Sequence, residues 1–201
     1  MTKALSAQPA VLFLHGFLSS PASSKAQQLR HWLAERGTPY WCPQLSICPH
    51  EAIEQAEAAV DEMLDRDHSP RIIGSSLGGF FARFLMETHP ARSQFRCGLI
   101  NPSCTPASDL AGQVGTHKAW HSDDQLTFKT EFLEDLRAME RPLTEPGRYF
   151  LIAATGDELL SWQQMVDFHP GAVHHIVQGS DHGLSDFAQH WPALSEFLFS
   201  D

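Results

Sequence analysis

With 201 residues the chain is long enough to bury one good core and reads as a single domain, 1–201. Apolar residues make up 42% and charged residues 19%, a balance that excludes a disordered chain. A formal net charge of −10 without a basic patch speaks against nucleic-acid binding.

Ala10 to Leu14 (AVLFL) is a short apolar run that predicts a buried strand. Lys3 ahead of it imitates the start of a signal peptide, but the run is too short, and His15-Gly16 interrupts it without a cleavage site. No apolar run is long enough to cross a bilayer, so the expectation is a cytoplasmic protein with no membrane partner. A helix is predicted over Ser23 to Arg36, with Ala26, Leu29, Trp32 and Leu33 on one face and Gly37 as its stop. Lys25 is expected to solvate the outer face of that helix, with a role near the loop left open as the alternative. Tyr40 to Cys42 reads as a short strand, and Glu51 to Leu64 as a helix. Arg71 to Gly74 reads as a strand, Leu77 to Glu87 as a helix, and Cys97 to Ile100 as a strand stopped by Asn101-Pro102. This alternation predicts βαβ units and a mostly parallel sheet. The four cysteines, with no CxxC pair among them, are expected to be free thiols.

The rhythm breaks between Pro102 and Pro146. Only an amphipathic piece near Glu131 to Met139 stands out there, and so long an irregular connection predicts a lid or cap insert at about 102–146. Leu110, Val114, Trp120, Phe128, Phe132, Leu133 and Leu136 are candidates to line a pocket, although most of them are expected to pack the insert onto the body. Order returns with strand Tyr149 to Ala154, a short helix after Ser161, strand Val173 to Val177, and a helix from Ser185 or Asp186 to Phe199.

The sharpest feature is Gly74-Ser75-Ser76-Leu77-Gly78, a G-x-S-x-G match between a predicted strand and a predicted helix. A serine exposed on so sharp a turn needs neighbours without side chains, which Gly74 and Gly78 supply. His15-Gly16-Phe17 follows the first strand, where a loop amide can pair with the amide after the nucleophile. The predicted oxyanion donors are the Phe17 and Leu77 N–H groups, with Gly16 allowing close approach. His15 is read as an anchor of that loop rather than as a base. Thr155-Gly156-Asp157-Glu158 follows a late strand, and Asp157 is preferred to Glu158 as the acid. His182 lies in a loop predicted to be flexible, before the last helix, and completes the order Ser, Asp, His. Asp181 stays open as an alternative acid, and Asp186 is read as a helix N-terminal charge.

Leu14-His15-Gly16-Phe17, Ser19-Ser20-Pro21, Gly74 to Phe80, Asn101-Pro102, Thr155 to Glu158 and Asp181-His182 together resemble the YqiA/YcfP-like small esterases. The resemblance implies a compact α/β-hydrolase fold lacking the first antiparallel strands, with helices on both faces of the sheet. It implies hydrolysis of acyl esters or thioesters by Ser76, His182 and Asp157, with a small-molecule substrate. No metal and no organic cofactor is expected. Asp181 departs from the family, where Asn is common, and a second negative charge beside His182 bears on the pH optimum. The alternatives are an acyl-CoA thioesterase or peptidase using the same residues, or a binding module with an idle triad.

Overall fold

Strand β1 (Gln8–Leu14) shows how the sheet acquires two covered faces. Successive side chains of a strand point to opposite sides, and here Ala10, Leu12 and Leu14 enter one buried cluster while Val11 and Phe13 enter the other. A strand that is apolar at every position needs such cover, and a parallel sheet supplies it. The computed structural model describes residues 7–120 and 123–200. Lys3, considered above as the start of a leader, lies outside the described residues.

The remaining strands of the main sheet are β2 (Tyr40–Trp41), β3 (His68–Ser75), β4 (Arg96–Ile100), β7 (Tyr149–Ala154) and β8 (Val173–Val177). Their order across the sheet is β2-β1-β3-β4-β7-β8, and every pairing is parallel. Helices α1 (Ser24–Glu35) and α7 (Phe187–Phe199) cover one face. Their Trp32 and Trp191 rings stack at 5.5 Å. Helices α2 (Pro49–Asp65) and α3 (Leu77–Thr88) cover the other face, with Ala56, Val60, Phe81 and Leu85 in the buried cluster. This is the α/β architecture that the alternating pattern predicts.

The irregular middle carries more order than its sequence suggests. It holds helix α4 (Pro106–Asp109), an antiparallel hairpin of β5 (Gly115–Lys118) and β6 (Gln125–Phe128), and helix α5 (Glu131–Ala138). The hairpin strands are four residues each: β5 carries no large apolar residue, and the alternation of Leu126 and Phe128 in β6 is too short to announce a strand. Phe128, Phe132, Leu133 and Leu136 are buried in the core cluster and do not border the cavity over Ser76. Val114 is exposed. Leu110 and Trp120 alone of the seven candidates border that cavity.

Helix α6 (Trp162–Phe168) ends at His169, which is buried. The His169 Nδ1–H donates to the Met165 carbonyl at 2.7 Å, and its Nε2 has no partner among the described residues. Burial pushes its pKa down from 6.5 to about 4, and the nearby Arg83 and His174 add to the effect. Between these values the unfolded chain binds a proton that the folded chain does not, so stability falls as pH drops from 6.5 to about 4. Through this residue the loss should be on the order of 3 kcal/mol. Urea denaturation at pH 7 and pH 4.5 should show it, with a shallower pH dependence in His169→Gln.

Candidate active site

Ser76 stands between the end of β3 and the start of α3, with φ 57° and ψ −123°. Such a backbone is costly for a residue with a side chain, and the surroundings hold it in place. The Ser76 N–H donates to the Ile100 carbonyl at 3.0 Å, and its own carbonyl accepts from Gly79 N–H at 2.9 Å and Ser103 N–H at 3.1 Å. The flanking glycines are required by space. A Cβ on Gly74 would stand 2.3 Å from the Gly78 carbonyl oxygen, and one on Gly78 would stand 2.0 Å from that of Leu14.

The loop after β1 passes against this turn. A Cβ on Gly16 would meet the Ser76 Cβ at 3.1 Å. His15 is buried and anchors the loop: its Nδ1–H donates to the Gly16 carbonyl at 3.0 Å, while its Nε2 accepts from Leu45 N–H at 3.1 Å. The Phe17 ring packs edge-on against Phe128, with centroids 5.2 Å apart. Phe17 and Leu77 border the same cavity as Ser76, and among the described residues neither N–H has a hydrogen-bond partner. Two amides are thus left without an acceptor beside the serine.

The loops after β7 and β8 bring in the other two groups. Gly156 N–H donates to the Gly179 carbonyl, Gly179 N–H donates to Thr155 Oγ1, and a Cβ on Gly156 would lie 2.3 Å from the Ser180 carbonyl oxygen. So joined, the loops place His182 Nε2 2.9 Å from Ser76 Oγ and His182 Nδ1 2.8 Å from Asp157 Oδ2. The second Asp157 oxygen accepts from the N–H groups of Leu159 and Leu160 at 2.9 and 2.8 Å. Burial pushes the Asp157 pKa up, but the bonds from His182, Leu160 and Leu159 outweigh it and hold the carboxyl below its usual value. An ionised carboxylate can only accept, so Nδ1 carries the imidazole proton and Nε2 is free to accept from the serine hydroxyl.

The His182 loop, predicted to be flexible, is instead tied from several sides. Glu158 is not a partner of the imidazole; its carboxylate accepts from the His182 backbone N–H at 2.9 Å. Asp181 turns its carboxylate to Ser185 N–H and makes no bond to the His182 ring. Asp186 accepts from Ser180 Oγ at 2.5 Å and pairs with His190, so it acts within the loop and not only as a helix-terminal charge. Lys25, expected to point to solvent, donates to the Gly183 carbonyl.

Asn101 is the residue whose part in the site sequence reasoning missed. It is fully buried at φ 42°, its Oδ1 accepts from Ala154 N–H at 2.9 Å, and its Nδ2 donates to the Asp181 and His182 carbonyls at 3.1 and 3.0 Å. The available signal was an asparagine directly after a buried strand, a position suited to left-handed backbone and to bonding nearby main chain.

A cavity of about 460 Å³ opens over Ser76 and His182. Phe17, Leu110, Leu159, Leu160 and Trp120 give it apolar walls, and Lys25, Asp109, His117 and Lys118 give it charged or polar ones. Among the described residues no cluster of His, Cys, Asp and Glu could hold a metal ion. All four cysteines are free thiols, and burial pushes that of Cys104 up to about 12.

A parallel sheet wrapped on both faces, with a serine on a strained turn between a strand and a helix, defines the α/β-hydrolase fold. The chain belongs to the Uncharacterised protein family (UPF0227), whose model matches residues 10–199. Among solved structures it is similar to a protein of Agrobacterium vitis S4 designated a hydrolase, at 20% identity and TM-score 0.77, covering 98% of this chain and 91% of that one. It is similar to Est1E from Butyrivibrio proteoclasticus, solved with ferulic acid bound, at 15% identity and TM-score 0.72, with the same coverage. Carboxylesterase CesB from Bacillus subtilis matches at 15% identity and TM-score 0.61, over 96% of this chain and 84% of that one. Likenesses at these identities establish the shared fold.

Truncating Asn101 to alanine should leave a buried Ala154 N–H unpaired and release two carbonyls of the His182 loop. The expected cost is about 2–3 kcal/mol of stability by urea denaturation. Amide exchange between residues 181 and 184 should speed up by more than the global loss explains.

Proposed function

We propose that this protein is a serine hydrolase that cleaves carboxylic esters through an acyl-enzyme intermediate. The observation that carries the reading is the unbroken hydrogen-bonded chain Ser76–His182–Asp157, at 2.9 and 2.8 Å. Ser76 Oγ attacks the substrate carbonyl carbon while His182 Nε2 takes the hydroxyl proton. The carbonyl oxygen becomes an oxyanion that accepts from the Phe17 and Leu77 amides, which have no acceptor to give up first. The bond to the leaving oxygen then breaks, and His182 returns its proton to that oxygen. Water repeats the sequence in the second half-reaction, releasing the acid and restoring Ser76. Asp157 holds the imidazole in the tautomer that leaves Nε2 free, and stabilises the imidazolium formed at each transfer. The esterases among the structural relatives, and the apolar cavity wall beside Ser76, support an acyl ester as substrate. The segment 102–146 contributes Leu110 and Trp120 to that wall, the part a cap over an acyl group would play.

A fluorophosphonate probe should label the protein at Ser76 alone, and Ser76→Ala should abolish labelling. On the best ester of a chain-length panel, Ser76→Ala should lose about 10⁴-fold or more in kcat. Full turnover by that variant would defeat the proposal. Asp157→Asn keeps the shape but favours the wrong tautomer, and should lower kcat by about 10³- to 10⁴-fold.

A further inference from the structure

Two of the four lysines in the chain, Lys25 and Lys118, border the cavity over Ser76, and none of the arginines does. In a protein of net charge −10 this concentrates positive charge at the site. Lys118 is exposed and already paired with Asp123 at 2.7 Å. Lys25 differs. It is half-buried near the start of α1, and among the described residues its only hydrogen bond is the one to the Gly183 carbonyl. An ammonium has three donors, so two remain for a ligand in the cavity.

We propose that Lys25 binds an anionic group, a carboxylate or phosphate, carried by the leaving alcohol or thiol of the substrate; this rests on the hydrolase reading above. The side of the cavity follows from connectivity. His182 returns its proton to the leaving atom, and Lys25 is bonded to the very next residue, Gly183. A group reaching Lys25 therefore belongs to the leaving half of the substrate.

The surroundings suit an anion. Ser23 also borders the cavity, at the N-cap of α1, and the first turn of that helix has no acidic residue, so its positive end is uncompensated. The bordering carboxylate, Asp109, lies beyond β4 and is occupied by the Ser103 and Thr105 hydroxyls. Asp181 attracts the ammonium but, among the described residues, makes no ion pair with it. Burial outweighs that attraction and pulls the Lys25 pKa down. A cation held partly out of water with one acceptor is stabilised by an incoming anion.

The test compares three butyrate esters: one of a neutral alcohol, one of a hydroxy acid and one of a phosphorylated alcohol of matched length. The wild-type protein should favour at least one anionic ester by about 10-fold or more in kcat/KM, the size of one charge-assisted hydrogen bond. That preference should weaken with rising salt. Lys25→Met should lower the ratio of anionic to neutral kcat/KM by about 10-fold, and Lys25→Arg should retain most of it. The carboxylate and phosphate arms tell which anion is meant. Equal use of all three esters by the wild type, or a proportional loss on all three in Lys25→Met, overturns the anion site. Ser76-dependent turnover of the neutral ester would then leave the hydrolase reading standing. If no ester or thioester is turned over in a Ser76-dependent way, both fall together.

Discussion

One backbone conformation organises the molecule. Ser76 sits at φ 57° between a strand and a helix, in a region that costs about 1–3 kcal/mol for a residue with a side chain. Three main-chain bonds to Ile100, Gly79 and Ser103 and the absence of side chains at Gly16, Gly74 and Gly78 offset that cost. The same crowding that forbids a methyl group at those glycines brings the β1 loop against the serine. The strain and the close approach are therefore one feature, and the two unoccupied amides follow from it.

The partners of Ser76 are held by a different device. The loops after β7 and β8 gain their positions from polar bonds more than from apolar packing. Asn101 joins the edge of the β4–β7 ladder to the His182 loop, while Glu158 and Lys25 hold that loop from either side. Each bond uses a main-chain group of the loop and leaves the imidazole free to face serine and carboxylate. Asp157 is similarly saturated, with two amides on one oxygen and His182 on the other, so its charge survives burial.

Much of this was legible in the sequence because it is local. Apolar runs such as AVLFL and YFLIAA identify strands that need cover on both faces, and the helices between them show one apolar side. Ser76, Asp157 and His182 each sit directly after such a strand or its loop, in a recognisable setting of glycines. What escaped is what depends on distant partners. Lys25 and Gly183 are 158 residues apart, and Asn101 meets the His182 loop from about half that separation. Neither contact leaves a periodic or spaced trace. The β5–β6 hairpin escaped for another reason: its strands, GTHK and QLTF, are four residues each, pair with one another, and reach the core through Phe128 of β6.

Strands β4 and β7 are immediate neighbours in the sheet, although the whole 102–146 stretch separates them in sequence. That stretch leaves and rejoins the sheet at one seam, yet it is rooted in the body, because Phe128, Phe132, Leu133 and Leu136 share the buried cluster of α2 and α3. Exchanges at its exposed positions therefore leave the register beneath Ser76, Asp157 and His182 untouched, whereas truncating any of those four apolar side chains opens a void in the core.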